Sequence, residues 1–417
     1  MHIKTILNCV EKHQSFVYGE AKLSRNGSQL ELEIPLRPRR SARAVCSGCG
    51  VKRSGYDTLP ARRFEYVPFW GILVFFVYAL RRVDCPVCGV KVERIPWAQG
   101  KSPITTTYGW FLARWARRMS WSEVAVAFRT SWHHVHAAVE MAVDWGRRHV
   151  NLDGITAIGV DEMQWGRGHR YLTVVYQIDA GNRRLLWVGE KRTIKTLLRF
   201  FRWFGKDRAA RLEFVCSDMW KAYLRVIAKK ASTAIHVLDR FHIMAQLNRA
   251  IDEVRASEAR ELARQGYEPV LKRSRWMLLK RPEHLTDKQN ASLAELLRYN
   301  LRTIKSYLLK EQFQLFWEYT HPYWAGRFLD KWCTSVLRSR IEPMKKTARM
   351  LRKHRELILN WFRAQKQFSS GVVEGLNAKA KLTTRKAYGF RGFKTLEVAL
   401  YHNLAKLPEP NFAHEFF

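Results

Sequence analysis

The sequence predicts a multi-domain α/β protein, with a cysteine-rich module in front and an all-helical section interrupting a mixed core. Three observations carry that expectation. Two Cys-x-x-Cys-Gly motifs stand within the first hundred residues. Between about 155 and 240, three strand-like runs are followed by helix, strand, helix and strand. From 241 to 366 no strand pattern occurs. A chain of 417 residues has room for about two to four domains.

Composition limits the function classes. Hydrophobic residues make up 47% of the chain, enough for several cores. Lys and Arg number 73 against 37 Asp and Glu, a formal net charge of +36 spread along the chain. Such a chain attracts polyanions, nucleic acid before an acidic membrane. The most apolar run, 67–80, is too short to span a bilayer and ends in Arg81-Arg82. The N-terminus lacks the apolar stretch of a signal peptide. A soluble, cytoplasmic protein without a membrane partner is expected.

Residues 1–100 read as a β-rich module. "QLELEIPL" (29–36) alternates at period two. "CSGCG" and "CPVCG" supply Cys46, Cys49, Cys85 and Cys88. Each motif is a knuckle that turns two sulfurs to one centre, with glycine allowing the tight turn behind them. Two knuckles make a closed, tetrahedral and therefore structural Zn²⁺ site. The long spacer between them reads as an inserted hairpin.

Residues 101–150 read as a helix-turn-helix. Ser120 and Glu123 fit a capping box, and Ser131 is a second N-cap. Trp132, His133 and His134 fall on the first turns of the second helix, where DNA-reading helices make base contacts. Arg129 occupies the turn position that usually holds glycine. These four residues and Arg167 are the candidate DNA contacts of this half.

Residues 151–240 form the first part of the mixed core. Asp161 is expected to close its first strand and Asp218 its fourth. Three strands, helix, strand, helix, strand is the order of a ribonuclease H-like fold, in which strands one and four are neighbours. Adjacent strand-end carboxylates repel unless cations lie between them, and Mg²⁺ is the natural choice. Glu162 would face the other side of the strand and is not counted as a ligand. Residues 241–366 are the helical section, broken at Gly266, Pro282 and His321-Pro322; its tryptophans, such as Trp276, Trp317, Trp324 and Trp332, read as packing core. Residues 367–417 read as the last part of the core. There Glu374 offers a third carboxylate, with Asn377, Lys381 and Arg385 following along one helix face as candidate DNA contacts.

Several blocks resemble bacterial insertion-sequence DDE transposases of the IS-L-three group. They include the two knuckles, "IGVDEMQWGRGHRYLTVVYQID", "CSDMWKAY", "VLDRFHIMAQLNRAIDEVR" and "SSGVVEGLNAKAKLTTRKAYGFRGF". The resemblance implies that Asp161, Asp218 and Glu374 are a metal-binding catalytic triad using two Mg²⁺ or Mn²⁺ ions. It implies that the helical section is an insertion domain and that "DRFH" contributes Asp239 and His242 in support. It further implies recognition of terminal inverted repeats, strand cleavage and 3′-OH strand transfer into target DNA, by a homodimer or larger homo-oligomer. Two other readings fit the residues alone: a non-catalytic zinc-containing DNA-binding regulator, and a structure-specific nuclease of the same fold.

Overall fold

Alternating residues near the N-terminus fold as a sheet. In the computed structural model, residues 2–166, 168–267, 269–366, 371–387 and 389–411 are described. The chain groups into two units, residues 1–151 with 382–417, and residues 152–381.

In the first unit, strands Phe16–Tyr18, Gln29–Pro38, Ile72–Asp84, Lys52–Phe69 and Ala44–Val45 lie side by side in that order. The second and third run parallel, and the long hairpin Lys52–Phe69/Ile72–Asp84 is the expected insert between the cysteine pairs. One face buries Ile34, Phe64, Phe76 and Trp97. Helices Thr106–Arg118, Trp121–Ala127 and Trp132–His149 follow, then the C-terminal Phe393–Leu404. The sequence reading kept 367–417 together, but the structure divides it: the last helix packs with the N-terminal helices. Lys394 pairs with Glu140 at 2.8 Å, and Arg114 with Glu409 at 2.8 Å. Gly146 allows this approach, because a Cβ there would stand 2.6 Å from the Leu407 Cβ. Apolar burial and ion pairing outweighed sequence proximity.

The second unit holds a five-stranded sheet. Its strands, numbered one to five along the chain, are Ala157–Gly166, Arg170–Gln177, Arg184–Glu190, Phe214–Ser217 and Ile235–Leu238. They lie in the order three, two, one, four, five. The first three are antiparallel, and the last two run parallel to strand one. Strand one does not end at Asp161 as expected. It continues to Gly166 because its pairing with strand two extends past the aspartate. Helices Ile194–Phe204 and Lys221–Lys230 cover one face, burying Phe200, Phe204 and Tyr223 against Ile158, Val160 and Val175.

The helical section begins with the 25-residue helix Arg240–Arg264 and shows no strand among its described residues. It is not a separate unit. Val237 and Leu238 of strand five belong to the same core as Phe313, Phe316 and Trp332. Asn360 donates to the His236 carbonyl at 2.8 Å. Two of its tryptophans depart from the expected core: Trp276 and Trp324 are exposed, whereas Trp332 is buried.

Candidate metal centres and nucleic-acid interface

The four cysteines converge. Their sulfurs all lie within 4.8 Å of one another, and among the described residues no other group of three or more Cys, His, Asp and Glu draws its ligand atoms so close. Cys49 Sγ and Cys85 Sγ are 3.6 Å apart. Tetrahedral thiolates on zinc, at Zn–S distances of about 2.3 Å, are separated by about 3.8 Å. Backbone N–H groups shape the knuckles. Gly50 N donates to the Cys46 carbonyl at 2.9 Å and Gly89 N to that of Cys85 at 2.8 Å. Both glycines have positive φ, 72° and 70°. Gly48 is required for another reason: a Cβ there would meet the Cys88 sulfur at 2.8 Å. Burial raises the Cys85 thiol, but N–H groups of Cys88 and Val87 and the neighbouring thiols outweigh it and bring the thiol down to about 6. The cluster suits a structural zinc.

The helix pair carries its capping box at Ser120 and Glu123, and Ser131 accepts from His134 N. Arg129 adopts φ 52°, so an arginine takes the left-handed conformation for which glycine is usual. Its guanidinium donates to Gln29. His134 Nδ1 lies 3.3 Å from Glu65 and 3.0 Å from the Thr130 hydroxyl, which commits its ring to the fold. Trp132 stacks on His136 with centroids 5.2 Å apart and stays partly exposed; His133 is exposed. Arg167 lies outside the described residues.

In the second unit, sheet register supplies the geometry. Val160 of strand one pairs with Ser217 of strand four, and Ser217 with Leu238 of strand five. Asp161, Asp218 and Asp239 each follow that row by one residue, on three adjacent parallel strands. Asp161 is buried; its Oδ1 accepts from Glu162 N at 2.7 Å and its Oδ2 from Asn377 Nδ2 at 2.5 Å. Asp218 is half-buried, and its Oδ1 accepts from Trp220 N at 3.0 Å. Asp239 is buried, caps the Arg240–Arg264 helix through Phe241 N at 2.7 Å, and faces His242 Nε2 at 3.7 Å. Glu374 is exposed on helix Gly371–Lys386.

Electrostatics shows that these groups sense one another. Burial, opposed by the Glu162 N–H and His242 and reinforced by Asp218, pushes Asp161 up to about 6. Burial also raises Asp218, with Glu162 and Asp239 adding to the shift and His242 opposing it. Glu374, though exposed, is raised by partial desolvation and by the charges of Asp239 and Asp161, with His242 opposing. A second ring of residues was not legible in the sequence. Arg192 pairs with Glu162 Oε1 at 2.7 Å and stacks over Tyr171 and Trp220, while Glu162 Oε2 is buried with no hydrogen-bond partner. Asn377 is buried, unlike its exposed helix companions Lys381 and Arg385. Tyr176, fully buried, donates to Asn377 Oδ1 at 2.8 Å. Carboxylates on neighbouring strands whose charged forms are disfavoured are the hard-oxygen donors that divalent cations take.

Carboxylates on neighbouring strands, in a chain of net charge +36, are the donors that a metal-dependent polynucleotidyl transferase would need. The comparisons make the class particular. A family model described as a transposase, DDE_Tnp_ISL3, matches residues 158–400. A transposase for insertion sequence element IS1557 from Mycobacterium tuberculosis is 31% identical over 385 residues, covering 87% of this chain and 86% of that protein. A transposase for insertion sequence element IS1001 from Bordetella parapertussis is 29% identical over 363 residues, covering 86% of this chain and 88% of that protein. The chain belongs to the ISL3 family of DDE transposases. Its family uses divalent metal ions, and no described helix is long and apolar enough to cross a membrane.

Proposed function

We propose that the chain binds the terminal inverted repeats of its own element, cleaves the strand ends with Mg²⁺ or Mn²⁺ and joins the freed 3′-OH to target DNA. Asp161, Asp218 and Glu374 hold the metals, and Asp239 and His242 support them. The carrying observation is the shared register of Val160, Ser217 and Leu238, after which Asp218 and Asp239 end strands four and five beside Asp161 in strand one. The strand order three-two-one-four-five supports a ribonuclease H-like core. When bound, the divalent ions would act as Lewis acids that activate the attacking oxygen and stabilise the leaving one. The protein's own share is to present carboxylate oxygens from fixed strands, with Asp161 held by two N–H donors.

The zinc module (1–100) and the helix-turn-helix (101–150) recognise the ends. Exposed His133, Trp132 and Arg129 are available for DNA, as are Lys381 and Arg385. His134 supports the recognition helix instead, through Glu65. The active form is a homo-oligomer that brings two ends together, working in the cytoplasm where the chromosome lies.

A labelled terminal-repeat duplex incubated with protein and Mg²⁺ tests this reading. The wild type cleaves and joins. Asp161→Asn, Asp218→Asn and Glu374→Gln each lose strand cleavage by on the order of 1,000-fold while keeping the footprint, because several kcal/mol of metal-dependent stabilisation disappear. Retained cleavage in any of them rejects the assignment of that carboxylate.

A further inference from the structure

The geometry points to Tyr176 and Asn377 as a positioning relay that fixes the plane of the Asp161 carboxylate for cation binding. This rests on the assignment of Asp161 as a metal ligand and deepens it. Asn377 lies on the helix that carries Glu374, three residues further on, where its sequence position suggested a DNA contact. Its amide is spent internally. Nδ2 donates to Asp161 Oδ2 at 2.5 Å and Oδ1 accepts from the Tyr176 hydroxyl at 2.8 Å. The residue is only 9% exposed.

Hydrogen-bond direction makes this a relay. An ionised carboxylate only accepts, so the amide must turn its NH₂ toward Asp161. An amide is nearly symmetric in shape, and packing alone would not choose between its two orientations. The accept-only Asp161 carboxylate makes the choice, and the Tyr176 hydroxyl, which can donate or accept, anchors the amide in that orientation by donating to Oδ1. Glu162 N donates to the other carboxylate oxygen at 2.7 Å. Each oxygen of Asp161 therefore has one fixed donor, which sets the carboxylate plane and leaves further lone pairs for a cation.

The backbone is arranged to permit it. Tyr176 pairs in register with Gly159, two residues before Asp161 and so on the same sheet face. A Cβ at Gly159 would stand 2.5 Å from Val373 Cγ2. Glycine there lets the helix approach strand one, and Val373 and Asn377 are one turn apart on it. The relay thus ties the Glu374 helix to the Asp161 strand. Residues that orient a metal ligand in this way commonly change metal affinity or activity by about 10- to 100-fold when removed.

The test uses the full chain and Mn²⁺ alone as the probe, measured by titration calorimetry beside strand cleavage and thermal melting. Tyr176→Phe keeps the ring and removes only the donor; Mn²⁺ binding and cleavage are expected to weaken about 10-fold. Asn377→Ala is expected to weaken both by about 10- to 100-fold. The Tyr176→Phe change adds no further loss on top of Asn377→Ala, because the hydroxyl acts only through the amide. A purely structural role would lower the melting temperature and leave Mn²⁺ affinity unchanged, and that result in Tyr176→Phe overturns the relay even if Asn377→Ala fails to fold. Asp161→Asn is the control. If it abolishes Mn²⁺ binding while Tyr176→Phe leaves it intact, the relay alone fails. If Asp161→Asn also leaves it intact, the ligand assignment fails with it.

Discussion

The cysteine cluster and the carboxylate cluster are both suited to cations, yet they are built in opposite ways. The thiols come from two short turns, with Gly50 and Gly89 at positive φ and Gly48 leaving room for the Cys88 sulfur. Their sulfurs lie within 4.8 Å of one another, with Cys46 and Cys85 buried beside Ala44 and Val83. The carboxylates come from two strands and a distant helix, stand further apart and end on an exposed Glu374. A structural ion needs a site that closes on itself, whereas a catalytic ion must leave room for phosphate and water.

Cys46→Ser tests the closed site and is expected to have the largest effect. Removing one of four ligands lowers zinc affinity by more than about 100-fold, the upper end of what loss of a mere supporting residue costs. Bound zinc, read by atomic absorption, falls from one per chain toward zero, and the melt of the N-terminal unit moves to lower temperature. Mn²⁺ binding at the carboxylates stays as in the wild type. If zinc content and melting are both unaffected, the thiols are not a metal site and the contrast between the two clusters collapses.

That contrast also explains what the sequence made legible. The four-cysteine cluster could be read because ligand identity, spacing and turn glycines sit within a few residues of each other. Asp161 and Asp218 could be read because a strand pattern ends or pairs near each. Their neighbour relation needed a topology, and the observed order puts strands one and four together. Helical spacing placed Asn377 in line with Glu374 and Lys381 as a DNA contact, while nothing local announces that it is buried against Asp161 and bonded to Tyr176, 201 residues away in the chain. The ion pair of Glu162 with Arg192 was equally invisible, since it joins residues of different elements. The C-terminal helix was placed with the core because its partners, Glu140 and Arg147, lie some 250 residues earlier.

The open site should announce itself through pH. Burial raises Asp161 from 3.8 to about 6, so the folded state holds this proton longer than the unfolded chain does. Between about pH 4 and pH 6 the folded form binds more protons, and stability from this group falls as pH rises. Above about pH 6 the ionised carboxylate costs about 3 kcal/mol in the metal-free protein. Asp161→Asn imitates the protonated form. It is expected to be more stable than the wild type at pH 7, with the difference vanishing near pH 4, and Mn²⁺ stabilises only the wild type. Urea denaturation at the two pH values, with and without Mn²⁺, measures this. A variant no more stable than the wild type at pH 7 would mean that Asp161 carries no such burden and that the site is not strained toward a cation.

The smallest expected effect bears on how the open site is assembled. Gly159→Ala adds one methyl group facing Val373 Cγ2 at 2.5 Å, a distance no packed pair tolerates. Overpacking of this kind costs about 1–3 kcal/mol. The strand is held on both edges by its sheet neighbours, so the helix Gly371–Lys386 is the element that yields, carrying Asn377 and Glu374 away from Asp161. Cleavage should therefore fall more than stability alone accounts for, while zinc content and end binding stay constant. Val373→Ala in the same chain removes the clashing methyl and should restore part of the cleavage. If Gly159→Ala cleaves like the wild type, the helix is positioned by other contacts, and the glycine in "AIGVDE" serves the strand and not the site.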